Sequence, residues 1–150
     1  MTVIVVIGWL ILTYILGLAR VSGNSMFPSL KDGDLAIFYK LDSYYSNDIV
    51  QYVVDGKTYL GRIVAVPGRE VDFPDEGSYT VDGYQPNEEI VYPTYAAENS
   101  NVSYPVKLGD ASYFILNDFR SDMLDSRTFG SIDQSQIRGK LIFLLRRRNF

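Results

Sequence analysis

The chain has 150 residues, of which 47% are apolar, and this is enough for one domain with a core of its own. It contains no histidine and no cysteine, which excludes a serine–histidine triad, a thiol nucleophile, a disulfide framework and the common zinc sites. We therefore expect neither a metal site nor a cofactor. The formal net charge of −4 argues against nucleic acid as a partner.

The first predicted element is an uncharged run over residues 3–19 that ends at Arg20. As a helix rising ~1.5 Å per residue, this run would reach about 25 Å, the short end of a bilayer span. We expect residues 1–20 to be an uncleaved membrane anchor, followed by a folded domain over residues 21–150. A cleaved signal peptide and a buried core helix are the alternatives, although no Lys or Arg precedes the run.

Positive charge flanks an acidic body. Between residues 21 and 145 there are 18 acidic and 10 basic residues, whereas Arg20 and residues 146–148 are all arginine. These two ends are predicted to meet anionic lipid headgroups of the cytoplasmic membrane. The alternative for residues 146–148 is a frayed basic tail.

Beyond Arg20 the pattern predicts strands joined by tight turns. The segment "DIVQYVV", the pair Asp55-Gly56 and the segment "KTYLGRIVAV" form the clearest hairpin signal, and Asp82-Gly83 repeats it within residues 79–85. Residues 86–105 are polar and proline-containing, as in a long excursion. Further strands are predicted over residues 34–41, 112–116 and 139–145. The predicted fold is a mostly β domain, a folded, barrel-like sheet preceded by one transmembrane helix.

The segment "VSGNSMFPSL", residues 21–30, is typical of a strand end and turn that present a catalytic serine, here Ser25. Met26 and Phe27, which follow it, are predicted either as core residues or as an edge that faces lipid or substrate. A serine nucleophile also needs a group that takes its proton, and this chain has no histidine to do so.

Four segments together resemble the type I signal peptidases of bacteria: "SGNSMFPSL", "NDIVQY", "YLGRIVAVPGREV" and "LNDFRSDMLDSRTFGSI". They occur in the order and spacing of that family and cover nearly the whole chain. The resemblance implies a membrane-anchored β-fold serine protease that cuts signal peptides. It also implies a single-pass protein of the cell membrane, with the β domain on the extracellular face.

The resemblance assigns the site residue by residue. Ser25 stands at the nucleophile position, and its backbone N–H would help to hold the oxyanion. The family's general base is a desolvated lysine, and its position is Gly61 in this chain. Ser126 matches the hydroxyl that orients the base, and Asp125 matches an aspartate expected to pair with Arg127.

No neighbour is an evident substitute for the missing lysine. Arg62 is predicted on the opposite strand face and cannot lose its proton, and the Cα of Lys57 would lie about 13 Å from position 61. We expect Gly61 to leave a void and a more mobile strand, and we expect Gly61→Lys to place an amine beside Ser25 and Ser126. The alternative is that a more distant base sustains proteolysis.

The family holds its substrate as an extended strand against its own sheet, with small pockets for side chains. The resemblance therefore predicts a groove here, with the segments "RVSGN" and residues 48–52 holding the peptide. Its predicted lining residues are Gly23, Asn24, Met26, Pro28, Asp48, Ile49, Val50, Ile63, Val64 and Val66.

Two main functions follow. The first is a non-catalytic, chaperone-like factor that binds exported proteins. Relatives at streptococcal pilus loci imply pilin segments and a sortase-containing assembly machinery as its partners. The second is an active signal peptidase with an unorthodox base. A purely structural anchored domain is a third, weaker alternative.

Overall fold

The apolar N-terminal run forms three elements in the structure, a computed structural model that describes residues 2–41, 43–90 and 92–146. These elements are helix α1 (Thr2–Leu10), a π-helical turn (Ile11–Ile15) and strand β1 (Leu16–Arg20). The prediction of one helix over residues 3–19 is wrong, because the end of the run pairs antiparallel with strand β2 (Leu35–Tyr39). Within the described ranges, no helix has both the length and the apolar character needed to cross a bilayer.

The main sheet is built around the predicted hairpin. Strands β3 (Ile49–Val54) and β4 (Lys57–Ala65) pair with Val50 opposite Gly61, and the turn residues Asp55 and Gly56 have φ values of 49° and 76°. Both residues are left-handed, as this tight turn requires. The hairpin prediction is confirmed.

The other strands are short. They are β5 (Glu70–Asp72), β6 (Thr80–Val81), β7 (Val106–Lys107), β8 (Ser112–Leu116), β9 (Ile132–Asp133) and β10 (Ile137–Leu145). The main sheet has the order β1-β2-β10-β3-β4-β8-β9, and a small sheet has the order β6-β5-β7. The mostly β fold is confirmed, and the predicted strands over residues 34–41, 112–116 and 139–145 are present as β2, β8 and β10.

Several elements were not predicted. β5, β7 and β9 and the helix α2 (Ser126–Phe129) have two to four residues each, too few to show a period in the sequence. The second predicted turn is present, with left-handed Asp82 and Gly83, but only one bridge, between Val81 and Tyr84, closes it. β6 pairs with β5 instead.

A core cluster on one side of the sheet holds the segment that carries Ser25. Val21, Met26 and Leu30 are each no more than 3% exposed and pack with Ala36 and Phe38 of β2. Burying a large apolar side chain contributes about 1.5–3 kcal/mol. The loop over residues 21–30 is therefore fixed to the sheet on both sides of the serine.

The described end of the chain contacts the same loop. Arg146 donates a 3.1 Å hydrogen bond to the Ser29 carbonyl, and its Nε lies 3.7 Å from the Asp34 carboxylate. The predicted lipid contact of residues 147 and 148 lies outside the described residues.

Candidate functional site

Ser25 lies half-buried at the wall of a groove of about 480 Å³. The Phe119 N–H donates a 2.9 Å hydrogen bond to the Ser25 carbonyl and so ties the loop to the strand end after β8. Gly23, in the left-handed region at φ 81°, donates its N–H to Asp32 at 2.8 Å. The Ser25 N–H donates to no described residue, so it is available to an incoming oxygen.

The groove has a polar wall and a mixed floor. Gln51 of β3 and Leu60 of β4 are cross-strand partners, and both line it. The described residues that line it are Ala19, Arg20, Ser22, Gly23, Asn24, Ser25, Gln51, Thr58, Tyr59, Leu60, Asn117, Asp122 and Leu124. Of the predicted groove residues, only Gly23 and Asn24 belong to this set.

The remaining predicted groove residues lie elsewhere, and strand alternation explains most of the differences. Val50, Ile63 and Val64 are buried in the core, as is Met26 of the serine loop, while Ile49 and Val66 pack against core clusters. Pro28 is exposed, and Asp48 accepts a hydrogen bond from the Tyr45 N–H at 2.9 Å. Because adjacent strand residues face opposite ways, the groove takes Gln51 and Leu60 where the prediction took Val50 and Ile63.

Residues 48–52 cannot receive an added strand. β3 is an inner strand, bonded to β10 on one side and to β4 on the other, so its backbone groups are already paired. β1 is at the edge of the sheet, and the segment after it, residues 21–24, leads directly into the serine loop. Of the two predicted peptide-holding segments, only "RVSGN" has this edge position.

Gly61 leaves no void, contrary to the expectation from the sequence. A Cβ atom at this position would overlap Cγ2 of Ile115 and would lie 3.2 Å from Cε1 of Tyr52. Both neighbours are fully buried in the cluster that also holds Val50 and Ile63. A side chain at position 61 would therefore start inside a packed core.

Ser126, which the resemblance predicts to orient the base, is buried, and its Oγ is hydrogen-bonded to the backbone. Its Oγ accepts a 2.9 Å hydrogen bond from the N–H of Ile115, the same residue that covers Gly61. The adjacent Asp125 caps α2 and pairs with Arg127 at 2.7 Å, as expected, with both side chains fully buried. Arg127 also donates to the carbonyls of Arg120 and Asp122, both at 2.8 Å.

Arg62 is equally committed. It donates to both carboxylate oxygens of Asp118, at 2.8 and 2.7 Å, and to Ser29 Oγ at 3.0 Å. The hydrogen bond to Asp118 raises the pKa of Arg62 above its ordinary value, although burial opposes the shift. Arg62 therefore stays protonated and holds Asp118 as its partner.

Two other polar side chains, Tyr52 and Asp122, lie near the site. Burial raises the pKa of Tyr52 well above its ordinary value, with a smaller contribution from Asp125, so this phenol stays protonated at neutral pH. Asp122 lines the groove with Ser25, and its Oδ1 accepts a 3.1 Å hydrogen bond from the Leu124 N–H. Asp122 is the only carboxylate in the groove lining.

A second buried cluster, which the sequence did not reveal, holds the excursion over residues 86–105. Arg120 pairs with Glu88 at 2.8 Å, donates to Thr94 Oγ1 at 2.9 Å and lies 5.5 Å from the ring centre of Tyr79. Tyr79 also donates a hydrogen bond to Glu88. The excursion is thus bonded to the segment that carries Asp125 and Arg127.

These features define a β-sheet protein with a half-buried serine at the wall of a groove. The chain belongs to the family described as signal peptidase, peptidase S26, whose family model matches residues 1–145.

Characterised relatives and a solved structure agree with this assignment. The chain is 29% identical to signal peptidase I of Bacillus licheniformis, over 93% of this chain and 82% of that protein. It is 27% identical to signal peptidase IB of Staphylococcus aureus, over 82% of this chain and 74% of that protein. Its fold is similar to the crystal structure of a signal peptidase I from Enterococcus faecalis, with a TM-score of 0.57 and 21% identity, covering 67% of this chain and 98% of that one.

Proposed function

We propose that this chain is a signal-peptidase-like protein that binds an extended segment of an exported protein without cutting it by serine–lysine chemistry. The observation that carries the proposal is the packing at Gly61. Ile115 and Tyr52 fill the space into which a base at this position would project, and Ser126 is bonded to the backbone of Ile115.

The rate consequence is large. A positioned general base contributes roughly 10²–10⁴ in rate, and loss of one member of an interdependent pair costs up to about 10⁶. The Ser25 hydroxyl would therefore be a weak nucleophile. Binding needs no base, and the groove with its free Ser25 N–H supports it.

The partners in this proposal are exported segments at the outer face of the cytoplasmic membrane, with the exposed apolar residues of α1 toward the lipid. Val3, Ile4, Val5 and Trp9 are each at least 63% exposed, which favours an apolar environment around this helix. Pilin segments handled beside a sortase are the candidate cargo, and this part of the proposal rests on the resemblance to proteins of pilus loci.

One observation favours a second candidate, an active peptidase with an unorthodox base. The Asp122 carboxylate lines the same groove as Ser25. No hydrogen bond joins the Asp122 carboxylate to the Ser25 hydroxyl among the described residues, and Asp122 Oδ1 accepts from the Leu124 N–H instead, so this function ranks below binding.

The test compares binding and cleavage of one peptide by the full chain in detergent solution. A fluorescein-labelled signal-peptide substrate should bind, as measured by anisotropy, and should remain uncut over hours. Ser25→Ala should leave its affinity within about twofold, since the hydroxyl is not required for holding the peptide.

Two arginine substitutions locate the binding surface. Leu124→Arg places a large charged side chain in the groove and should weaken binding, whereas Leu41→Arg alters an exposed leucine outside the groove and should not. Equal binding by both variants would show that the peptide does not bind in this groove. Cleavage that Asp122→Asn abolishes would replace the binding function by the second candidate.

A further inference from the structure

We infer that the groove selects an extended peptide with a hydrogen-bonding side chain (Asn, Gln, Ser or Thr) at the position over Gln51. This inference rests on the proposed function, because it names the chemistry of the segment that the groove would hold.

The floor of the groove offers side chains and no free strand edge. Gln51 and Leu60 are directly opposite each other on β3 and β4, which are both inner strands of the sheet. A ligand that crosses this floor therefore meets an amide next to a leucine. Only side-chain chemistry can distinguish one peptide from another there.

The Gln51 amide is free to bind a ligand. It is half-buried, and it makes no hydrogen bond to any residue in the described ranges. Gln136 shows the contrast, because its Nε2 donates to the Val53 carbonyl at 3.1 Å and its Oε1 accepts from the Asp133 N–H at 3.0 Å. A half-buried amide without a protein partner is costly unless water or a ligand bonds to it.

A second side-chain amide, that of Asn117, lines the same groove and has an unused hydrogen-bond acceptor. Asn117 is 2% exposed, and its Nδ2 donates to the Asp122 carbonyl at 3.1 Å. Its Oδ1 accepts from no residue that the structure describes. Thr58 and Asn24 add a hydroxyl and an amide to the lining. The groove therefore has several donors and acceptors beside its apolar lining residues Ala19, Tyr59, Leu60 and Leu124.

The backbone of the loop can align the ligand over this floor. Neither the N–H nor the carbonyl of Ser22 is bonded to a described residue, and Ser22 lines the groove. An extended chain paired with Ser22 would present alternate side chains to the floor. The side chain that points at Gln51 is the one whose chemistry the groove would read.

The size of the selectivity follows from the cost of unpaired polar groups. A site with buried hydrogen-bonding groups rejects an apolar analogue because those groups lose water without gaining a partner. For a half-buried amide, we expect a preference of about tenfold in Kd for the polar peptide.

The experiment uses two short fluorescein-labelled peptides derived from one signal-peptide sequence. One carries alanine at the positions that flank the family's cleavage site, and the other carries asparagine there. The full chain in detergent solution should bind the asparagine peptide about tenfold more tightly. Gln51→Leu should reverse or abolish this preference, while Gln85→Leu, which alters an exposed glutamine outside the groove, should preserve it.

The outcomes separate this inference from the proposed function. Equal binding of both peptides, or a preference for alanine that Gln51→Leu leaves unchanged, would overturn the polar selectivity and leave peptide binding intact. If neither peptide binds, both the selectivity and the proposed function fail. If Gln51→Leu lowers the melting temperature, Gln51→Glu is used in its place, because it keeps a polar side chain. Gln51→Glu should change the preference toward Lys- or Arg-bearing peptides.

Discussion

A Cβ atom at position 61 would overlap the Cγ2 atom of Ile115, so any residue other than glycine would have to displace this side chain. This packing arises because β4 and β8 are adjacent strands with Ile63 opposite Ile115. The Ile115 side chain therefore also covers Gly61, two residues before Ile63 on β4. The N–H of the same isoleucine holds the Ser126 hydroxyl. One residue thus packs over position 61 and hydrogen-bonds to Ser126.

The first prediction concerns this packing. Gly61→Ala should lower the free energy of unfolding by about 1–3 kcal/mol, since it overpacks the core. Gly109→Ala is the matched control, because its Cβ would meet only Ser112 Oγ at an ordinary 3.7 Å, and the change should stay within about 0.5 kcal/mol. Urea denaturation measures both. Equal stability of the two variants would show that Ile115 moves aside without cost.

Gly61→Lys extends the same argument. The lysine should destabilise the protein and should not restore cleavage, because its side chain starts among Ile115 and Tyr52. Adding Ile115→Ala should recover part of the stability by removing the overlapping methyl group. A Gly61→Lys variant with wild-type stability and Ser25-dependent cleavage would contradict the packing argument and restore the expectation from the sequence.

The second prediction compares two ion pairs with equal N–O distances of 2.7 Å. Arg127→Met should cost about 3–5 kcal/mol, because it leaves the fully buried Asp125 carboxylate without its partner. Arg69→Met breaks an exposed, solvent-screened pair with Asp82 and should shift the denaturant midpoint far less. Denaturant midpoints of the two variants give the comparison. Similar costs would mean that burial does not set the strength of the Asp125 pair.

The third prediction separates two neighbours that the sequence did not distinguish. Met26 is 1% exposed and should cost about 2–5 kcal/mol when replaced by alanine. Phe27 is 38% exposed, and Phe27→Ala should cost less than about 1 kcal/mol. Thermal unfolding tests both. Of the pair, only Phe27 remains a candidate for an edge that faces lipid or substrate, and liposome flotation of Phe27→Ala tests that role.

The sequence predicted local features of this fold better than the packing of its side chains. Turn residues with strong local preferences, such as Asp55-Gly56, fixed the hairpin and its register, and the motif order located Ser25 and the Asp125–Arg127 pair. Which strand face meets the groove depends on how the loop over residues 21–30 packs, which is a tertiary property. The prediction was therefore one residue out: it placed Val50 in the lining, whereas the structure places Gln51 there.

The prediction of a single helix over residues 3–19 failed for a related reason. Hydropathy shows that residues 3–19 are apolar. It does not show that the backbone of residues 16–20 hydrogen-bonds to strand β2. The packing at Gly61 was equally invisible, because Tyr52 and Ile115 lie nine and 54 positions away in the sequence. Only the sheet order brings them together.

The fourth prediction concerns alkaline pH. Burial raises the pKa of Tyr104 to about 12 and raises that of Tyr52 further, whereas both titrate near 10 in the unfolded chain. Between pH 10 and 12 the unfolded state loses these protons while the folded state keeps them, so stability falls as pH rises. Below pH 10 both states keep the protons, and these two groups leave stability unchanged.

Tyr52→Phe tests this effect. The Tyr52 hydroxyl is buried without a hydrogen-bond partner among the described residues, so its removal should not destabilise the protein at pH 7. The variant should also lose less stability than the wild type between pH 10 and 12. Chemical denaturation across this range, with tyrosinate absorbance followed in parallel, gives both results. An unchanged slope of stability against pH would show that Tyr52 ionises normally in the folded protein.

The most direct measurement is single-turnover cleavage of a signal-peptide substrate by the full chain, with Ser25→Ala beside it and signal peptidase I of Bacillus licheniformis as the active reference. With Ile115 and Tyr52 in place of a base, Ser25-dependent cleavage should be at least about 10²–10⁴ slower than in the reference, and the Ser25→Ala rate should match the wild type. A Ser25-dependent rate within about tenfold of the reference would contradict the proposal that Ser25 is not activated.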